Sequence, residues 1–305
     1  MLKQKHLLGL KLMSREEITQ ILNTAAIMKQ IVRSPNKKSA HLTGKSIVTL
    51  FYENSTRTRM SFELACKYMS AATANISASA SSVAKGETLI DTGRTLDRMG
   101  TDVIIMRHPM SGAPHLLSQH VHASVINAGD GMNEHPTQAL LDMFTMREAK
   151  GRIEGLNVTI IGDVLHSRVA RSNLWGLQTM GAHVTLCGPS TLLPNTFATA
   201  GARVTNDIKR AVDGADVIMG LRIQRERQQS GMIPSVREYN RFFGISEELL
   251  SLAPDAIVMH PGPVNRGVEI NSSVADSESS LIEEQVQNGV AVRMALLYLL
   301  TRREI

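Results

Sequence analysis

Seven short apolar runs, rich in β-branched residues and barely interrupted by polar ones, set the strongest constraint on how this chain can fold. They are KSIVTLFY (45–52), DVIIMR (102–107), ASVINAG (123–129), NVTIIGD (157–163), HVTLCGP (183–189), DVIMGLR (216–222) and AIVMHPG (256–262). A strand with one wet face alternates polar and apolar residues. These runs do not, so each predicts a strand buried on both faces. TANISAS (73–79) adds a further strand. Helical patterns separate them, over 14–32, 60–69, 88–99, 135–150 and the last 25 residues. The first opens on Ser14 with Glu17 three positions on, a capping box. Pro136 suits the first turn of the fourth. The polar stretch 224–244 reads as a long loop.

Strands buried on both faces and joined through helices imply parallel sheets. The predicted fold class is α/β, with two doubly wound parallel-sheet domains and the active site in the cleft between them. Residues 1–134 form the first domain, completed by a linking helix at 135–150 and a C-terminal helix at about 286–305. Residues 151–285 form the second.

Composition narrows the function. The 305 residues carry a formal net charge of +5, but only 4% are aromatic and no block of five or more Lys/Arg occurs. Single arginines instead sit beside Gly, Ser, Thr or Pro at the ends of apolar runs. That pattern suits small anionic ligands rather than nucleic acid. No apolar run is long enough to span a membrane, and the N-terminal segment lacks a signal-peptide pattern. Cys66 and Cys187 form no CxxC motif, and two buried, reduced thiols fit a cytoplasmic protein. Neither cysteines nor histidines show metal spacing, so no metal is expected.

In doubly wound sheets, ligands bind beyond the carboxyl ends of strands. Ser55-Thr56-Arg57-Thr58-Arg59 stands at such an end and opens a helix, where free N–H groups and the helix dipole favour an anion. A Ser N-cap alone explains one hydroxyl, not the cluster. Arg107 ends the next run, in MRHP. His135 and Gln138 share one helical face at a third strand end. In the second half, GDVLHSRVARS (162–172) offers Arg168 but no G-x-G-x-x-G. Arg222 and Gln224 end another run. In HPGPVNR (260–266), two prolines fix backbone that can present carbonyl oxygens to an amide. No nucleophile or carboxylate pair accompanies these groups, which points to chemistry by binding and polarisation.

FYENSTRTR, MRHP, HPTQALLD, GDVLHSRVARS, RIQRER and HPGPVNR, in this order, resemble the signatures of the aspartate/ornithine transcarbamoylase superfamily. The resemblance spans essentially the whole chain. RIQRER and HPGP favour its aspartate branch over its ornithine branch. It implies transfer of the carbamoyl group of carbamoyl phosphate to the α-amine of L-aspartate, giving N-carbamoyl-L-aspartate and phosphate in pyrimidine biosynthesis, with no metal or organic cofactor. The first domain would then be the carbamoyl phosphate domain and the second the aspartate domain. By that resemblance Ser55, Thr56, Arg57 and Thr58 hold the phosphate. Thr58, Arg107 and His135 polarise the carbonyl as the catalytic group. Gln138, with the backbone of Gly262 and Pro263, holds the amide. Arg168, Arg222 and Gln224 grip the aspartate carboxylates. Ser81 and Lys85 reach in from a neighbouring subunit of a homotrimer. A higher assembly with a regulatory or other pathway subunit stays open, and Arg59 has no assigned role.

Glu53, just ahead of the phosphate cluster, is expected to pair with Arg168 or Arg227 of the other domain. On that basis Glu53→Gln would weaken aspartate use more than carbamoyl phosphate binding. Three alternatives remain at this stage: a transcarbamoylase for another amine, a non-catalytic anion-binding subunit on the same fold, and a nicotinamide dehydrogenase, which lacks its glycine fingerprint.

Overall fold

The computed structural model describes residues 2–77, 86–223, 232 and 235–302. The chain divides into two compact units, 1–144 with 287–305 and 145–286.

In the first unit α1 (Arg15–Arg33) leads into β1 (Ser46–Phe51), α2 (Thr56–Tyr68), β2 (Ala72–Ser77) and α3 (Leu89–Arg98). Then follow β3 (Val103–His108), α4 (Ala113–Ser118), β4 (Ser124–Asp130) and α5 (Pro136–Lys150), which runs past the division at Phe144. The capping box of α1 is formed: Ser14 accepts from the Glu17 N–H, and the Glu17 carboxylate accepts from the Ser14 N–H. That carboxylate also accepts from the Lys3 N–H at 3.0 Å, tying the chain's start to the helix.

The strands pair in parallel in the order β2-β1-β3-β4. Alternate residues Val48, Leu50, Ile104, Met106 and Val125 pack with Leu96 of α3 and Leu117 of α4. Their neighbours Ile47, Ile105 and Ile126 are also buried. Both faces are therefore covered, which explains the unbroken apolar runs.

The second unit runs β5 (Asn157–Ile161), α6 (Arg168–Thr179), β6 (His183–Cys187), α7 (Thr196–Thr199), β7 (Arg203–Thr205), α8 (Ile208–Val212) and β8 (Val217–Gly220). It continues through α9 (Val236–Phe243), α10 (Glu247–Leu250), β9 (Ile257–Met259) and α11 (Ser272–Ala275). The last helix, α12 (Ile282–Thr301), enters the first unit at Gln287. The strand order is β7-β6-β5-β8-β9, again all parallel. Ile161, Ile218 and Val258 pack with Val212, Leu249 and Val274 on one face.

One prediction needs correcting. The stretch read as a loop over 224–244 contains α9. Ser235 caps it, accepting from the Glu238 N–H at 3.0 Å. Tyr239 alone in the helix is buried. A helix this short, with a single buried side chain, leaves too little periodicity to detect. Its Ser-x-x-Glu start was the legible signal. Among the described residues no helix is long and apolar enough to cross a membrane.

Candidate active site

A doubly wound sheet opens a crevice where the strand order reverses. In the first unit that point lies between β1 and β3. The connection after β1 goes to β2 on one side, and the next strand, β3, pairs on the other. Ser55 to Thr58 follow β1 here, and Arg107 lies on β3 in register with Phe51. Ser55 is the N-cap of α2, yet its hydroxyl makes no capping hydrogen bond. Ser14, Thr88, Ser167, Ser235 and Ser246 all cap their helices conventionally. The first turn of α2 thus presents N–H groups, the Thr56 and Thr58 hydroxyls and Arg57 at one helix start. Thr58 is buried, whereas Thr56 and Arg57 are exposed.

Arg107 donates from Nη2 to Glu53 Oε1 at 2.6 Å. Glu53 therefore engages a partner of its own unit, one that sequence reasoning did not anticipate. Arg227, the alternative partner, lies outside the described residues. Next along β3, burial lowers the His108 pKa below its ordinary value, and Nδ1 accepts from the Met110 N–H at 3.0 Å. That keeps His108 a neutral acceptor turned to its own loop.

His135 immediately precedes α5, beyond the end of β4. Its carbonyl accepts from the N–H groups of Gln138 and Ala139, and its Nδ1 lies 3.5 Å from Thr137 Oγ1. Both His135 and Gln138 are buried. Gln138 Nε2 donates to Asp142 Oδ1 at 2.9 Å. Three neighbouring strands, β1, β3 and β4, thus carry the hydroxyls, guanidiniums, imidazole and amide at one end of one sheet. Arg59 is half-buried, with its guanidinium 5.4 Å from the Phe51 ring centre. A cation–π contact gives it a structural role.

In the second unit the order reverses between β5 and β8. Arg168 opens α6 after β5 and is buried. Its neighbour Ser167 caps the helix by accepting from the Ala170 N–H at 3.1 Å. Arg222 follows β8. The Ile223 N–H beside it donates to Glu269 Oε1 at 2.8 Å. Glu269 also accepts from Asn265, through its N–H at 3.0 Å and its Nδ2 at 2.7 Å. One buried carboxylate therefore fixes both the Arg222 segment and the loop after β9. In that loop Gly262 has φ of +63°, a conformation glycine adopts without steric cost. Its N–H donates to His260 Nδ1 at 2.9 Å. Pro263 is exposed. Ser81, Lys85 and Gln224 lie outside the described residues. Among the described residues no cluster of three or more His, Cys, Asp or Glu is placed to hold a metal ion.

Two family models match the chain: the aspartate/ornithine carbamoyltransferase carbamoyl-P binding domain over residues 5–148, and the Asp/Orn binding domain over residues 154–300. The chain belongs to the aspartate/ornithine carbamoyltransferase family. The aspartate carbamoyltransferase catalytic subunit of Ruminiclostridium cellulolyticum is 69% identical over 305 residues, covering 100% of this chain and 97% of that relative. An aspartate transcarbamoylase from Trypanosoma cruzi, solved with carbamoyl phosphate and aspartate, matches with a TM-score of 0.88 at 31% identity, covering 97% of each chain. The ornithine carbamoyltransferase of Pyrococcus furiosus matches with a TM-score of 0.85 at 30% identity, covering 96% of this chain and 95% of that one. The fold is thus common to both carbamoyltransferase branches.

Sequence reasoning passed over two neighbours of the candidate site. Asp142 stands four residues after Gln138, a spacing that puts both on one helical face. Arg293 of α12 is 4% exposed and donates from Nη2 to Thr137 Oγ1 at 3.4 Å. The first was readable from spacing. The second lay hidden in an apolar helix some 150 residues downstream.

Proposed function

We infer that the chain is an aspartate carbamoyltransferase. It transfers the carbamoyl group of carbamoyl phosphate to the α-amine of L-aspartate, giving N-carbamoyl-L-aspartate and phosphate in pyrimidine synthesis. The observation that carries this is the 69% identity, along the whole chain, to a catalytic subunit of that name.

In this reading the first unit binds carbamoyl phosphate. The phosphate sits at the start of α2 on the hydroxyls of Ser55, Thr56 and Thr58, with Arg57 pairing with it. Thr58, Arg107 and His135 face the carbonyl oxygen. Gln138, with the backbone of Gly262 and Pro263, takes the amide. Arg168, Arg222 and Gln224 bind the aspartate carboxylates, and Ser81 and Lys85 come from the next subunit of a homotrimer.

The uncharged α-amine attacks the carbonyl carbon. Charge grows on the carbonyl oxygen, where preorganised donors count most, each worth about 2.7–4 kcal/mol by removal. Collapse of the intermediate expels phosphate, whose leaving charge Arg57 stabilises. The departing phosphate takes the amine proton. Much of the acceleration is orientation, since two anionic substrates are held together against their repulsion.

The deciding experiment offers purified protein carbamoyl phosphate with L-aspartate or L-ornithine and measures the carbamoylated products. N-carbamoyl-L-aspartate alone is expected. Citrulline as the main product would move the chain to the ornithine branch, and absence of both products would leave a binding subunit.

A further inference from the structure

The carbamoyl group differs from an acyl group by an NH2, which needs an acceptor facing it. Gln138 is the side chain assigned there, in a reading that rests on the proposed reaction. A primary amide has a donor end and an acceptor end of nearly the same size. Which end meets the ligand decides whether the site welcomes an NH2 or opposes it.

Asp142 settles that choice. It lies one turn on along α5, is completely buried, and takes Gln138 Nε2 at 2.9 Å. An ionised carboxylate only accepts hydrogen bonds, so the amide nitrogen must face it and Oε1 must turn the other way. A carboxylate so buried needs a nearby positive charge to remain ionised. Arg293 of α12, which interacts electrostatically with Asp142, supplies it. Its guanidinium lies 5.1 Å from the Phe62 ring centre, and Nη2 donates to Thr137 Oγ1 at 3.4 Å. Room for it depends on Gly289, where an added Cβ would lie 2.6 Å from Arg293 Nη1. Burial lowers the Arg293 pKa to about 10, Asp142 opposes that shift and Arg107 adds to it. The guanidinium is still charged at neutral pH. Through Thr137 the same arginine also reaches His135 Nδ1, 3.5 Å from that hydroxyl.

We propose that Asp142 and its counter-charge Arg293 are positioning residues that lock the Gln138 amide with its oxygen toward the substrate, and so select a carbamoyl phosphate over an acyl phosphate. Neither touches substrate. They act by removing one of two amide orientations. Exchange of Asp142 for an amide removes the constraint, because Asn can donate as well as accept and Gln138 can then turn over.

The test uses two phosphonates of matched shape, phosphonoacetamide and acetonylphosphonate, which differ only as NH2 and CH3. Their dissociation constants are measured by calorimetry on the full chain. The wild type is expected to prefer the amide by about tenfold, the worth of one well-made hydrogen bond. In Asp142→Asn the preference should fall to near unity while acetonylphosphonate binds as before. Retained preference, no preference in the wild type, or equal weakening of both ligands would overturn the lock, the last marking a merely structural role. If Asp142→Asn does not fold, the double variant Asp142→Asn/Arg293→Met, which removes both charges together, is read in the same way. If neither variant folds, a wild-type crystal with phosphonoacetamide decides. Ligand nitrogen on Gln138 Oε1 with Nε2 on Asp142 supports the lock, and ligand nitrogen elsewhere overturns it. A wild type with the amide preference but no N-carbamoyl-L-aspartate production would sink the reaction and leave the lock standing. An active enzyme whose preference ignores Asp142 would do the reverse.

Discussion

The 2.6 Å pair between Glu53 and Arg107 changes what a substitution at Glu53 should do. As an interdomain latch, Glu53 would matter chiefly for aspartate. As the partner of Arg107, it orients the guanidinium assigned to the carbonyl oxygen. A charge-assisted bond of this kind contributes roughly 1.5–3 kcal/mol. Steady-state kinetics of Glu53→Gln should therefore show kcat/KM for carbamoyl phosphate falling by about tenfold or more, with KM for aspartate nearly unchanged. A rise confined to the aspartate KM would instead support the pairing of Glu53 with an arginine of the other domain. The cysteines give a second residue-level prediction. Burial pushes the Cys66 and Cys187 thiols up to about 12, so at pH 8 almost no thiolate exists. Native protein should release almost no thionitrobenzoate from a disulfide reagent at that pH, and both thiols should react in guanidinium. Sequence context already placed both thiols in apolar surroundings. It did not place Glu53 beside Arg107, because 54 residues separate them and only the pairing of β1 with β3 brings them together.

The two serine caps test what helix starts are for. Ser14 closes a capping box on α1, so Ser14→Ala should destabilise the protein by about 1 kcal/mol, measured as a lower denaturant midpoint at constant slope. Ser55 makes no capping hydrogen bond, so Ser55→Ala should leave the midpoint almost unchanged and raise KM for carbamoyl phosphate. Equal destabilisation by both substitutions would return Ser55 to ordinary capping. The strong elements were readable in advance, because strands buried on both faces and α1 with its capping box carry their own patterns. The weak ones were not. α9 is a single short helix with one buried side chain.

The chain leaves its first unit within α5 and returns within α12. That return brings Arg293 beneath Thr137 and makes the first unit depend on the last helix, with Val292, Met294, Ala295, Leu296 and Leu297 all buried. If Lys85 serves a neighbouring subunit, mixing two inactive proteins, Lys85→Gln and His135→Ala, after gentle dissociation should restore activity. With random trimers about a quarter of the sites would pair an intact half from each. An active Lys85→Gln protein would place Lys85 outside the chemistry, and no recovery from two inactive ones would place it in its own subunit's site. The class of fold, the strand ends at which an anion site can form and the residues that crowd there were set by local pattern, since burial on both faces and helix-start chemistry are properties of contiguous residues. The partner of Glu53 and the counter-charge on Asp142 depended on packing, because each joins segments that meet only when the sheet pairs and α12 comes back against α5, whereas the Gln138–Asp142 pair lies within one helix and was open to reading from spacing.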